Sequence, residues 1–173
     1  MGLVHLYCGD GKGKTTAAIG IAVRAAGSGM EVVFCQFMKG RPTAELNILK
    51  SVENIHVFRC ERDFGFYWQM SGETKAEAAK GYGEVLKKAI AEAEKYEKCL
   101  VVFDEATYAY NYNLIDKNLF ESFIKNRKKG TEIVITGREP ADFIVNIADY
   151  ISEIKKIRHP FDKGIGAREG IEF

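Results

Sequence analysis

Apolar residues in this chain fall into short unbroken runs, and between the runs they recur at helical spacing. Leu3 to Tyr7, Val32 to Gln36, Ile55 to Phe58, Cys99 to Phe103 and Glu132 to Thr136 are short and rich in β-branched or aromatic residues, as expected of strands buried on both faces of a parallel sheet. Tyr150 to Ile157 is of mixed polarity and predicts an edge strand. Between the runs, a helical pattern starts near Lys14, carries Ala17, Ala18, Ile19, Ile21, Ala22 and Val23, and stops at Gly27-Ser28-Gly29. Arg41 to Lys50 predicts a short helix behind Pro42. Thr74-Lys75-Ala76-Glu77 has the form of a capping box opening the longest helix, in which Tyr82, Val85, Leu86, Ala89, Ile90 and Ala93 mark the packed face. Asp116 caps a helix bearing Leu119, Phe120, Phe123 and Ile124 that closes at Gly130, and Ala141 to Ala148 forms one more. Strands alternating with helices over short connections give a three-layer α/β fold on a mainly parallel sheet.

The first strand–helix junction changes the picture most. It reads Gly9-Asp10-Gly11-Lys12-Gly13-Lys14-Thr15-Thr16. Glycines at alternate positions can take positive φ, so backbone amides can line a concave anion site, to which the next helix adds its N-terminal amides. Lys14 suits phosphate oxygens, and the hydroxyl of Thr15 or Thr16 suits a magnesium ion carried by a nucleotide. In the usual P-loop pattern a glycine stands five residues before Gly13; here that residue is Cys8, and the loop is one residue tighter. A plain packing turn would also use glycines, but would not need Gly-Lys-Thr-Thr. The sequence therefore predicts a P-loop NTPase-like, RecA-like domain binding a magnesium nucleoside triphosphate.

A second landmark supports the first. The run Cys99 to Phe103 ends in Asp104-Glu105, which places carboxylates at the C-terminal edge of a strand, where they can serve the nucleotide's metal. Gln36, Lys39 and Arg138 also follow strands, at the edge where open α/β sheets bind ligands. Lys39 is equally well an ordinary loop lysine. Arg24, further along the first helix, either faces the nucleotide or is solvated. The stretch Phe64-Gly65-Phe66-Tyr67-Trp68 fits neither a helical stripe nor a strand. Its aromatics either cover the core edge or offer a flat apolar surface to a flat ligand or a partner. Beyond His159, not expected to be catalytic, the tail has turns enough to fold back over the ligand edge.

Composition narrows the field. The chain has 173 residues, long enough for one domain, residues 1–173, burying about 70 % of its unfolded surface. Lys plus Arg total 25 against 24 Asp plus Glu, so net charge gives no pointer to nucleic acid or an anionic membrane, and anion binding must be local. Cys8, Cys35, Cys60 and Cys99 stand far apart with no C-x-x-C pair, against both zinc and a disulfide framework. With no signal peptide and no 18-residue apolar span, a soluble cytoplasmic protein is expected.

Taken together, the glycine loop from Gly9 to Ala18, Gln36-Phe37-Met38-Lys39-Gly40, Val102-Phe103-Asp104-Glu105, Thr136-Gly137-Arg138, His159-Pro160-Phe161 and the ending Gly170-Ile171-Glu172-Phe173 resemble the ATP:corrinoid adenosyltransferases of the CobA type, nearly end to end. The resemblance implies transfer of the 5′-deoxyadenosyl group of ATP to the Co(I) of a reduced corrinoid, with inorganic triphosphate leaving. It implies that magnesium (or manganese), the loop amides, Lys12 and Lys14 hold the triphosphate. Thr15 and Glu105 would be metal ligands with Asp104 in support, and Glu105 would join the two lysines in catalysis. Phe66 and Trp68 match a Phe-x-Trp that presses on the corrin and displaces its lower axial ligand, so that a flavoprotein reductant can make Co(I). A homodimer is also implied.

Two departures stand out. Asp10 replaces a common asparagine, placing an anion near a polyanion, and the chain starts at its first strand, without the longer N-terminus that covers the corrin in some members. Closure is then expected from another loop or a dimer partner. Two rival readings share the landmarks: a P-loop ATPase or small-molecule kinase acting at the γ-phosphate, and a non-catalytic protein that binds nucleotide or corrinoid.

Overall fold

The structure is a computed structural model and describes residues 2–172. Six strands form one sheet in the order β3-β2-β4-β5-β1-β6: β1 Val4–Cys8, β2 Glu31–Gln36, β3 Ile55–Arg59, β4 Lys98–Asp104, β5 Gly130–Thr136 and β6 Tyr150–Glu153. Every pairing is parallel. All strands therefore deliver their C-terminal ends to one edge, and β1 and β4, which carry the two landmarks, are separated there by β5 alone.

Helices cover both faces because the central strands are apolar on both sides. On one face α1 (Lys14–Gly27) and α2 (Glu45–Leu49) pack Ala18, Ala22 and Leu49 on Val32, Phe34, Leu100, Val102 and Val134. The fully buried alanines of α1 let it lie close to the sheet. On the other face are α3 (Gly72–Ala93), α4 (Ala106–Asn111), α5 (Lys117–Asn126) and α6 (Asp142–Ile147). They bury Leu86, Ala89, Tyr110, Phe120, Ile124 and Ile144 on Leu6, Val33, Val101, Phe103, Ile133 and Ile135. β6 is exposed along its length, as its mixed polarity predicts.

Four local expectations are corrected. The cap of α3 is Ser71, whose Oγ accepts the Thr74 amide at 3.1 Å; Thr74 is the capped residue, and Glu77 pairs with Arg62 at 2.8 Å. α2 starts only at Glu45; ahead of it the carbonyls of Lys39 and Arg41 are taken up by Arg59 Nη2, each at 2.7 Å, and not by a helical turn. Gly130 belongs to β5, and α5 ends earlier, at Asn126. β6 stops at Glu153 because Ile154 turns to the glycine loop, its amide donating to Cys8 O at 2.8 Å and its carbonyl accepting the Gly11 amide at 2.7 Å.

Candidate functional site

The loop between β1 and α1 uses its glycines for two different reasons. A Cβ on Gly9 or Gly11 would lie 2.5 or 2.7 Å from Ile154 O, so these two permit close packing against the chain leaving β6. Gly13 has open space around it but a φ of 123°, which a side chain rarely adopts. Gly9 combines both features, a φ of 103° and the close approach to Ile154. The Gly11 amide is committed to Ile154, and the cradle is left to the residues that follow. α1 opens at Gly13 with no side-chain cap, which leaves its first-turn amides free of side-chain partners, and Lys14, Thr15 and Thr16 border the cavity beside the loop. Lys14 is buried, and its ammonium donates to Gly11 O at 2.8 Å. Burial pushes its pKa down, and Glu105 is the foremost group holding it up.

Asp104, at the end of β4, is fully buried. Its Oδ1 accepts the hydroxyls of Thr15 (2.9 Å) and Thr136 (2.7 Å), and its Oδ2 accepts the Gln36 amide (3.1 Å) and the Lys39 ammonium (3.1 Å). Lys39 Nζ also donates to Thr15 Oγ1 at 3.0 Å. Gln36 Oε1 is buried without a partner among the described residues. Glu105 follows at a left-handed φ of 56°, its amide donating to Thr136 Oγ1 at 2.9 Å. Burial, with Asp104 adding to it, raises the Glu105 carboxyl above the usual range against the pull of Lys39, Lys14 and Arg138. Hydroxyl and carboxylate oxygens so arranged suit a hard divalent cation. Among the described residues no three His, Cys, Asp or Glu side chains gather to hold a metal unaided, so such an ion would complete its shell with phosphate and water.

These groups line a cavity of about 670 Å³ that brings Lys12, Lys14, Thr15, Thr16, Lys39, Glu105 and Arg138 together. Ile19, Ala44, Ile48 and Ile171 add apolar surface to its lining, and Glu45 and Glu172 add acidic groups. Gln36 lies beneath the cavity, in contact with Asp104. Asp10 lines it too, but its carboxylate accepts the Lys156 amide at 3.0 Å, which lowers its pKa. The anion that departs from the common asparagine thus ties the loop to the tail. Arg24 is not brought to the cavity: it is exposed near the end of α1, about 15 Å along the axis from Lys14. Phe66 and Trp68 do not line it either. They are 58 % and 72 % exposed, stacked with centroids 4.8 Å apart at 12°.

The family model described as ATP:corrinoid adenosyltransferase BtuR/CobO/CobP matches residues 1–173. The chain belongs to this family. Its relatives include the corrinoid adenosyltransferase of Escherichia coli strain K12, 33 % identical over 99 % of this chain and 86 % of the relative. Corrinoid adenosyltransferase CobA of Salmonella typhimurium is 34 % identical with the same coverage. Among solved structures, the genome packaging NTPase B204 of Sulfolobus turreted icosahedral virus 2, in complex with ATP-gammaS, is similar with a TM-score of 0.55 and 14 % identity, covering 92 % of this chain and 78 % of that one. That likeness shows the fold, a P-loop NTPase-like α/β domain. No helix among the described residues is long and apolar enough to cross a membrane.

In this adenosyltransferase-family chain, several residues near the site escaped the sequence reading. Thr136 orders both Asp104 and Glu105, and its place at a strand end before Gly137-Arg138 was the available signal. Glu172 accepts from Lys12 Nζ at 3.0 Å, a pairing that the turns of the tail do not signal. Ile154 carried no signal, since it acts through its backbone.

Proposed function

We propose that the protein transfers the 5′-deoxyadenosyl group of ATP to the cobalt of a reduced corrinoid and releases inorganic triphosphate. The observation that carries this reading is that one family-matched chain holds both a cavity on which Lys12, Lys14, Lys39 and Arg138 converge beside the glycine loop and an exposed, stacked aromatic pair on a separate loop. The lone pair of Co(I) forms the new bond to C5′, the C5′–O bond breaks, and its electron pair leaves with the triphosphate. The cobalt ends as an alkylated Co(III).

The chain's contribution is alignment and charge control. Lys12, Lys14 and Arg138 hold the triphosphate, with the first-turn amides of α1 beneath it. Thr15, Asp104 and Glu105 would hold Mg²⁺ or Mn²⁺, which would neutralise part of the leaving group's charge. Gln36 and Thr136 fix the Asp104 carboxylate. Phe66 and Trp68 offer the flat apolar surface for the corrin, and a flavoprotein reductant supplies the electron that makes Co(I). A homodimer is part of the reading, supported by the exposed β6 edge with Tyr150 and Ile151 half-exposed. A reducing, cytoplasmic setting is supported by four free cysteines.

Anaerobic incubation with Mg-ATP and chemically reduced cobalamin tests the reaction. The light-sensitive alkylcobalt spectrum is expected to grow in; ATP consumption without it would favour hydrolysis or phosphoryl transfer.

A further inference from the structure

Only one of the four donors to Asp104 carries a charge. Asp104 has no exposed surface, and the Lys39 ammonium is its one ion-pair partner, at 3.1 Å. The same ammonium lies 3.0 Å from Thr15 Oγ1, so it bridges the loop hydroxyl and the strand-end carboxylate. Those are two of the oxygens to which the proposed function assigns the divalent cation. An ion bound to them at about 2.0–2.1 Å would crowd the ammonium, and two cations cannot share that space without a large repulsion.

Lys39 is built to vacate the position. Its carbonyl is pinned by Arg59 Nη2 at 2.7 Å, so the backbone stays in place while four flexible bonds carry the ammonium. Its side chain is 25 % exposed and opens on the cavity, where a bound triphosphate would offer new oxygens.

We propose that Lys39 is a resident counter-cation that occupies the metal position of the empty site, excludes a free divalent ion from it, and moves onto the triphosphate when the nucleotide arrives. The metal then enters with the nucleotide and not before it. This rests on the assignment of Thr15 and Asp104 as metal donors, and not on the corrinoid chemistry.

The test is a titration of the full-length chain with Mn²⁺, followed by the loss of the free-ion paramagnetic resonance signal. Without nucleotide, wild type is expected to leave the free Mn²⁺ signal essentially undiminished. Lys39→Met is expected to take up Mn²⁺ without ATP, more than about tenfold tighter than wild type, whereas Lys39→Arg, which keeps the charge, is expected to behave as wild type. Equal nucleotide-free uptake by wild type and Lys39→Met, or none by either, would overturn the proposal. Should Lys39→Met not fold, Lys39→Gln takes its place in the same nucleotide-free titration: tighter uptake than wild type supports the proposal, and uptake equal to wild type, or stoichiometric uptake by wild type without ATP, overturns it. No corrinoid enters the titration, so its failure is distinct from a failed adenosyl-transfer assay.

Discussion

Tyr67 lies flat on Tyr112, with ring centroids 3.9 Å apart and planes within 3°. Tyr112 in turn stacks on Tyr108 at 5.6 Å, and the Lys75 ammonium sits 4.4 Å from the Tyr67 ring centroid. Tyr108 belongs to α4, which starts directly after Glu105. The loop bearing exposed Phe66 and Trp68 is thus fastened to the element that begins beside Glu105 and the cavity it lines. An aromatic pair contributes about 0.5–1.5 kcal/mol beyond its burial, so Tyr112→Ala is expected to raise KM for the corrinoid about 3- to 10-fold and leave KM for ATP unchanged. Tyr112→Phe keeps the stack and should match wild type. Steady-state kinetics with each substrate varied decides this, and Trp68, the only tryptophan, reports the loop by its fluorescence.

Glu172 pairs with Lys12 at the cavity beside the glycine loop, so a tail carboxylate holds an ammonium that the proposed function assigns to the triphosphate. Hydrogen bonds from Arg168, its side chain first, and then from Lys12 hold the Glu172 pKa down to about 2. The carboxylate is therefore ionised throughout the neutral range. Glu172→Gln should tighten ATP binding by about two- to fivefold, the scale of an exposed ion pair, as read by calorimetry in the absence of corrinoid. Weaker binding would mean that the pair helps to shape the site.

The glycines should sort by environment. Gly11→Ala places a Cβ 2.7 Å from Ile154 O and must part the loop from the chain after β6, with a cost on the order of 1–3 kcal/mol and loss of most ATP affinity. Gly20→Ala, in the middle of α1 with open space around it, should instead stabilise by about 0.5–1 kcal/mol. Thermal melts of the two variants should move in opposite directions.

Glu105 carries a sign that can be checked. Its folded pKa is raised, so the folded state binds its proton more tightly than the unfolded one, and stability falls as pH rises from the unfolded value toward the folded one. Above that window ionised Glu105 is a net cost, so Glu105→Gln should melt higher than wild type at pH 7 and lose that advantage near pH 4. The same variant should bind Mg-ATP at least about tenfold more weakly, since a neutral amide is a poorer metal ligand. Wild-type Mg-ATP affinity should rise with pH through the raised pKa. Melting curves and calorimetry at the two pH values check both halves.

The α/β order was legible because the buried strands are apolar on both faces and therefore unbroken, as in β4 from Cys99 to Phe103. The loop and Asp104-Glu105 were legible because their chemistry needs particular residue types at strand ends. What escaped acts through the backbone or at long range. Ile154 clasps Gly11 by a carbonyl that any residue carries, and Glu172 reaches Lys12 across 160 positions. Ser71 and Thr74 are both hydroxyl residues suited to a cap, and only the geometry, with the Thr74 amide donating to Ser71 Oγ, tells them apart. Arg24 lies beyond the reach of the cavity because α1 runs straight away from it.

The most direct measurement is the phosphorus products of a single turnover with Mg-ATP and Co(I) corrinoid, resolved by ³¹P NMR. Inorganic triphosphate in one-to-one yield with alkylated corrinoid is the predicted result. ADP or orthophosphate in place of triphosphate would contradict it.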